Sequence, residues 1–433
     1  MIWRVFSRIR RNPPFVGTNY LTDAQREDMD LCWENKKRGK ADYVTCWYLK
    51  TGRYIQDTGI RCAFVSTNSV CQGEQAVSLW GQMLGEYRCI INFAVRTFVW
   101  NSESSEKANV HVVIIGFSMV STNEKFLYEG GTCKQVNNIN GYLLPAPTVL
   151  ISERSSPICG VPAIVRGSQA TDNGYYLFTP EEKAKFLTKE PQAEPFFKRF
   201  MMGREFINNI ERWCLWIPDV SPDVLRKCPQ TRERIRQVKE FREQSKNSQT
   251  KKAAETPQRF GQYRPPADHY IGFAKVSSER RRYIPMGFMT NEVIPGDKLF
   301  TIPGASIYQF GVLMSNVHNA WMRTVGGRLK SDYSYSTTIV YNNFPWPSPT
   351  EEQRRKIEQT AQGILDARAL YPSSSLADLY DDVLMPPELR RAHQNNDRAV
   401  MAAYGFPVKG FTEADCVAEL MKLYQKMVEE NGK

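Results

Sequence analysis

The segment best equipped for chemistry is Asn12-Pro13-Pro14-Phe15. An exocyclic amino nitrogen on an aromatic base is a poor nucleophile, because its lone pair is delocalised into the ring. A site that accepts both amino hydrogens draws that nitrogen toward tetrahedral geometry. The Asn12 side-chain oxygen and the Pro13 carbonyl are two such acceptors. Two prolines fix the turn, so the acceptors are set in advance. Phe15 can stack on the ring face, as aromatic side chains do on extruded bases. The nitrogen can then attack a sulfonium methyl directly, with no covalent enzyme intermediate. Four such residues also make an ordinary proline turn, and at this point both readings stand.

The elements that must position this turn follow it. Apolar residues at helical spacing predict a helix over 42–55 and a second over 75–84. Residues 61–68 read as a short buried strand, and 89–95 and 111–117 as two more. Alternating strands and helices predict an α/β sheet covered on both faces. In such sheets ligands bind beyond the carboxyl ends of the strands, so Val65-Ser66-Thr67-Asn68 is expected to line the same crevice as the turn. Asn68 has two readings, a contact to base or cofactor and a helix cap. Just before the turn, Phe6 to Arg11 holds three arginines in six residues, which does not suit a buried parallel strand.

From about Ser121 the pattern changes to short strand signals at 142–151, 162–166, 283–288, 299–302 and 338–341. A basic helix is predicted over 221–246, then a polar loop over 245–266. From Ser348 the chain reads as helical. A capping box starts at Ser348, with Pro349 at the first helical position. Ile357, Ala361, Ile364, Leu365 and Ala369 share one face, and helices follow over 389–404 and 414–427.

The 433 residues carry a net charge of +11. Between Arg226 and Arg282 sixteen Lys/Arg stand against six Asp/Glu, so this block holds nearly all of the excess. It reads either as a footprint for a polyanion or as a solvated basic helix. The ten cysteines form no C-x-x-C pair and only four histidines are present, which argues against a metal site or a disulfide framework. Without a secretory signal the expected compartment is the cytoplasm. No apolar stretch approaches the ~18 residues of a membrane span.

The chain resembles the γ-type amino-methyltransferases of DNA, and within them the MmeI-like type II restriction–modification enzymes. The turn with Val16 and Gly17, the run from Asp42 to Tyr48, and Phe64 to Ser69 with Gln72 to Gln75 carry the first part of the likeness. Arg96-Thr97-Phe98 and Val112 to Phe117 continue it. Residues 212–216, 277–283, 327–333 and 341–346 are similar to the family's target-recognition domain, and 385–389 and 396–404 to its C-terminal helical module. The resemblance implies a partial class I (Rossmann-like) α/β methyltransferase sheet over 1–120. A mixed α+β target-recognition domain over 121–345 and a small helical domain over 346–433 follow it. It implies methylation of adenine N6 in double-stranded DNA from S-adenosylmethionine. Asn12, Pro13, Pro14 and Phe15 are then catalytic, and Asn68, Arg96 and Thr97 edge the base pocket or cofactor. Strand packing is the other reading of Arg96, Thr97 and Phe98. Arg280, Arg281 and Arg282, with the basic helix, are expected on phosphates. Arg264, Asp268, His269, Arg328, Lys330, Asp332 and Tyr333 are the candidate base readers, because bidentate arginines and short carboxylates suit base edges.

The family's cofactor site lies upstream of the turn and needs a strand, a G-x-G turn and a helix. No G-x-G follows a strand in this sequence, and no nuclease signature is found. The expectation is therefore a chain without its cofactor-binding half, dependent on a separate polypeptide for activity. A DNA-binding specificity module without catalysis, and methylation of protein glutamine, are the alternatives.

Overall fold

The computed structural model describes residues 7–34, 38–100, 110–217, 222–329 and 331–431. The chain divides into two compact units that are interleaved in sequence. One comprises Met1–Gly160, Ala320–Pro347 and Gly405–Lys433, the other Val161–Asn319 and Ser348–Tyr404. The three consecutive segments drawn from the sequence therefore do not coincide with these units.

The first unit is built on a six-stranded sheet. Its elements in chain order are β1 (Arg8–Arg11), α1 (Asp23–Trp33), α2 (Thr45–Tyr54), β2 (Arg61–Thr67), α3 (Gly73–Trp80), β3 (Ile90–Trp100), β4 (Val110–Ser118), β5 (Lys125–Glu129) and β6 (Thr132–Val136). The strand order is β1-β2-β4-β3-β5-β6. β1 and β2 run parallel, β4 is antiparallel to both of its neighbours, and β3 and β5 are parallel. The β5–β6 hairpin turns at Gly130-Gly131, both with positive φ (53° and 81°), the backbone that a tight two-residue hairpin turn requires.

The arginine-rich run before the turn is a parallel strand but not a buried one, in keeping with the sequence reading. Its place at the sheet edge leaves Arg8, Arg10 and Arg11 exposed. β2 is not buried throughout either. Cys62, Phe64 and Ser66 are buried, while Ala63, Val65 and Thr67 on the other face are half-buried. The buried face meets an aromatic cluster in which Tyr48 of α2 touches Phe64, Trp80 and Phe117, with ring centroids 5.1 to 5.7 Å apart. The Tyr48 hydroxyl is satisfied by Ser66 Oγ at 2.7 Å.

Two predicted strands of this unit are instead irregular chain held by buried amides. Over 142–151 no strand forms. Asn140, fully buried, accepts from the Tyr142 and Leu144 amides at 3.0 and 3.1 Å and donates to the Pro147 carbonyl. Thr337–Tyr341 is a single wide helical turn, above which Asn343 donates to the carbonyls of Ser152, Thr338 and Ile339. Side-chain amides supply here the partners that a strand ladder would supply.

The second unit holds two four-stranded sheets. One orders Val293–Pro295, Phe197–Met201, Trp213–Leu215 and Leu177–Phe178; the other orders Met286–Thr290, His269–Ala274, Leu299–Pro303 and Val165–Arg166. Tyr176, Phe178, Phe186, Phe197, Phe200 and Phe260 form the core beside the first. The helix Glu351–Ala369 begins two residues later than predicted. Thr350 is its cap and Gln353 completes the box, so Pro349 precedes the cap.

Buried polar groups also fix the helix Pro387–Tyr404. Asn396 donates to the Gly311 carbonyl at 2.7 Å, and Asp397 accepts from Tyr283 and from the Asn316 amide. His393 stacks on Tyr283 with centroids 4.1 Å apart, and its Nε2 meets the Tyr380 hydroxyl at 2.8 Å. Arg368 donates to that hydroxyl, so the hydroxyl's own proton is directed at His393. Burial, and then the Arg368 charge, push the His393 pKa well below its usual 6.5. The imidazole is neutral when folded, whereas the unfolded chain takes up a proton near that value. Stability is therefore retained above about pH 6.5 and lost as pH falls below it. Melting temperature is expected to drop between about pH 7 and pH 5, and His393→Gln to flatten that drop. An unchanged pH slope in the variant would exclude His393 as the cause.

Candidate active site and nucleic-acid interface

Residues 12–17 leave β1 at its carboxyl end without regular structure. Pro13 is buried, while Asn12, Pro14 and Phe15 are exposed, Phe15 by 36%. Arg11 lies opposite Phe64, so the turn emerges beside the last residues of β2. There Asn68 opens a short helical turn, Asn68–Cys71, with its side chain 8% exposed. Its Nδ2 is buried without a hydrogen-bond partner among the described residues. An orphaned buried donor of this kind costs about 1–3 kcal/mol, which marks it as a place for a polar ligand. Asn68 caps no helix through its side chain.

The back of the turn is tied down. Tyr43 N–H donates to the Val16 carbonyl at 3.0 Å, and Thr18 N–H to Asp42 Oδ1 at 3.1 Å. Asp42 Oδ2 accepts from the Ser69 hydroxyl at 2.6 Å. The sequence reading included Asp42 only as the start of a helix and of a family motif. No periodicity marks it, because its partners lie 24 and 27 residues away in the chain.

Arg96 and Thr97 sit where β3 slips register against β4, between Val95 and Phe98. Such bulges re-aim side chains beside ligand sites. They lie at the same end of the sheet as Asn12 but three strands across, about 14 Å by strand spacing. Arg96 forms a two-pronged ion pair with Glu129 at 2.7 and 2.8 Å. Asn12 to Phe15 and Asn68 thus follow the carboxyl ends of adjacent strands, and Arg96 and Thr97 lie farther across the sheet from Asn12, with the Arg96 charge still acting on Cys71 in the Asn68 turn.

Of the candidate DNA contacts, Arg328, Asp332 and Tyr333 belong to the first unit. They occupy a hairpin in which Gly327–Leu329 pairs with Asp332–Ser334. Arg328 lies over the ring of the buried Tyr333, 4.4 Å from its centroid, and donates to the Ser331 carbonyl. The hairpin starts against Gly73, whose positive φ (55°) and missing Cβ permit a close approach to Gly327. Lys330 lies outside the described residues.

Arg264, Asp268, His269 and Arg280 to Arg282 belong to the second unit. Arg264 is engaged at both ends. Its guanidinium donates to the Gly167 carbonyl and Gln262, and its backbone exchanges two bonds with Ser168. Asp268 accepts from Asn291, and His269 opens its strand exposed. Arg280 and Arg282 are exposed, with Arg282 over the Tyr283 ring, and Arg281 is half-buried.

The predicted basic helix is two helices, Pro222–Arg226 and Pro229–Glu243, broken before Pro229. Much of its charge is engaged within the unit. Arg236 pairs with Glu233 and Glu240, Lys239 with Glu243, and Arg226 with Asp223. Arg242 is fully buried and donates to the carbonyls of Ala170, Thr171, Ala253, Thr256 and Arg259. Among the described residues no cluster able to hold a metal ion occurs, and no helix is long and apolar enough to cross a membrane.

Three family models match the chain in order: the MmeI DNA-methyltransferase domain over residues 7–129, the MmeI target recognition domain over 145–348, and the MmeI C-terminal domain over 349–430. The chain belongs to the MmeI-like family. It is similar to DNA methyltransferase A of Bacillus subtilis (strain 168), with 37% identity over 421 residues, 96% of this chain and 47% of that protein. It also matches the structure of the Type IIL restriction-modification enzyme MmeI in complex with DNA. That match has 44% identity and a TM-score of 0.86, and covers 98% of this chain and 57% of that one. The chain thus spans about half the length of these MmeI-like relatives.

Arg242→Ala removes the guanidinium from five carbonyls, of which Ala170 and Thr256 keep a backbone donor, and is expected to destabilise the protein by about 3 kcal/mol. Arg236→Ala removes exposed pairs and is expected to cost less than about 1 kcal/mol. Urea denaturation of both variants measures the contrast.

Proposed function

We propose that this chain carries the methyl-acceptor site and target-recognition part of an adenine-N6 DNA methyltransferase of the restriction–modification type, acting in the cytoplasm on double-stranded DNA. The observation that carries the reading is the pairing of an exposed Asn12 and Phe15 with the buried, unpartnered Asn68 amide at the carboxyl ends of two parallel strands. The same placement supports reading the sheet as part of a class I, Rossmann-like methyltransferase sheet.

In this reading an extruded adenine lies against Phe15. The Asn12 oxygen and the Pro13 carbonyl accept its two amino hydrogens and direct the nitrogen lone pair outward. Asn68 Nδ2 donates to an acceptor on the base edge or on the cofactor. S-adenosylmethionine, when bound, supplies the electrophilic methyl. The residues described here fit the acceptor side of the transfer. The proposal assigns the glycine-rich cofactor site to another stretch of polypeptide. Residues 121–345 read the target and 346–433 form the helical module. Arg280, Arg281 and Arg282 serve as phosphate contacts, and Arg328, Lys330, Asp332 and Tyr333 as base readers. Arg264 holds its own loop, through Gly167 and Ser168. Arg96 and Thr97 shape the far edge of the crevice.

The test is methyl transfer from labelled S-adenosylmethionine to mixed-sequence duplex DNA. It is run with the chain alone and with the cofactor-binding half of an MmeI-like enzyme added. Transfer is expected in the second arm, as N6-methyladenine. Asn12→Ala is expected to lower it by about a hundredfold or more while leaving duplex affinity within about twofold. Affinity itself should fall linearly in log–log form with salt. Methyl appearing on cytosine or on protein glutamine overturns the adenine assignment. Duplex binding with transfer in neither arm leaves a recognition module.

A further inference from the structure

We propose that Asp42 is a positioning residue that sets the distance between the Asn12 turn and Asn68. The inference rests on reading the turn as the amine-binding site, but its test does not. The turn itself has no regular structure between β1 and the short helix at Thr18. A segment of that kind keeps one geometry only if its backbone groups are bound from outside.

Asp42 supplies that bond on one side, and its second oxygen reaches the neighbouring loop. Oδ1 accepts from Thr18 N–H, three residues past Phe15, and Oδ2 accepts from Ser69 Oγ, one residue past Asn68. The carboxylate therefore bridges the loops that leave the carboxyl ends of β1 and β2. Both partners are fixed in turn. Ser69 Oγ also meets Thr67 Oγ1 at 2.8 Å and lies 3.4 Å from Gln75 Nε2. Gln75 Oε1 accepts from the Asp42 amide at 2.8 Å, which closes a ring of Asp42, Ser69 and Gln75. On the other side the Val16 carbonyl is held by the Tyr43 amide, so residues 42 and 43 grip the segment at two points.

The plain alternative is a helix cap for α2. A capping side chain accepts from the second or third helical amide. The first residue before α2 is Val44, which makes no side-chain cap, and the Asp42 oxygens are directed to Thr18 and Ser69 instead. Helix α2 takes only the Asp42 backbone carbonyl, through Thr45. The geometry of this carboxylate thus serves two loops and not its own helix.

Hydrogen–deuterium exchange of the full chain, resolved at residues 12–20, tests the bridge without DNA or cofactor. Asp42→Ala is expected to speed exchange at the Thr18 amide about tenfold, from loss of one charge-assisted bond. Asp42→Asn keeps an acceptor for Thr18 and gains a donor for Ser69, so it is expected to restore slow exchange. Ser69→Ala cuts only the far end, and is expected to speed exchange at Thr18 as well. If Ser69→Ala leaves residues 12–20 unchanged in a folded protein, the bridge is refuted. The same holds if Asp42→Asn behaves as Asp42→Ala. Protection that responds as expected, with an Asn12→Ala variant that transfers methyl normally, sinks the amine-site reading and leaves the bridge.

Discussion

The four-residue parallel pairing of Arg8–Arg11 with residues 61–64 is the constraint on which the site depends. A parallel pair brings two carboxyl ends to the same edge, and whatever leaves those ends shares one crevice. The pairing sets Asn12 one residue beyond a strand whose neighbour continues to Thr67, so turn and Asn68 loop emerge side by side. Were the pair antiparallel, the turn would lie at the opposite end from Asn68. The antiparallel β4 next in the sheet, and β3 beyond it, bring the Arg96 bulge back to the same edge. Topology therefore fixes which residues share the edge, and side-chain hydrogen bonds fix their spacing.

Those hydrogen bonds follow a common pattern. Where the chain has no ladder, one buried polar side chain gathers several backbone groups. Asn140 does this for residues 142–147, Asn343 for three carbonyls, and Arg242 for five. Each such group carries a desolvation cost that is offset only if nearly all of its bonds are made. That makes these residues sensitive to substitution while leaving them outside the chemistry. Asn68 departs from the pattern. Like Asn343, whose Oδ1 also lacks a partner, it carries an unpartnered buried atom, but only Asn68 sets that atom at the crevice beside the turn, which is why it points to a ligand and Asn140 does not.

Much of this was legible in the sequence where local signals act alone. The proline turn, the strand at 61–67 and the amphipathic helix after Thr350 depend on short-range patterns, and the sequence reading placed them closely. It failed where a distant partner decides. Arg8 to Arg11 read as unfit for a buried strand, and that they still pair as an exposed strand could not be read from composition. Residues 142–151 and 338–341 carry β-type composition, yet Asn140 and Asn343 outcompete the ladder. Asp42 stood out only as the first residue of a predicted helix and of a family motif, and its bridging role had no signal, since its partners are brought near only by folding. The resemblance to MmeI-like enzymes reached the family where the residues alone left adenine, glutamine and plain binding open.

The basic block shows how charge and contact separate. Its excess between Arg226 and Arg282 suggested a surface for phosphates. Arg236 on Pro229–Glu243 is neutralised by Glu233 and Glu240, and Arg242 is buried against five carbonyls. Carbonyl dipoles satisfy Arg242 and the nearby Asp172 carboxylate offsets part of its charge, so the net excess of the whole block sets the field outside the protein. That field decays over a Debye length of about 8–10 Å at moderate salt, enough to steer a polyanion toward the surface. Touching a phosphate requires an exposed cation, and there Arg280 and Arg282 are better placed than the helix that carries more of the charge. Net charge in this chain is thus a guide to attraction at a distance, while the contact surface has to be read from which arginines are already occupied.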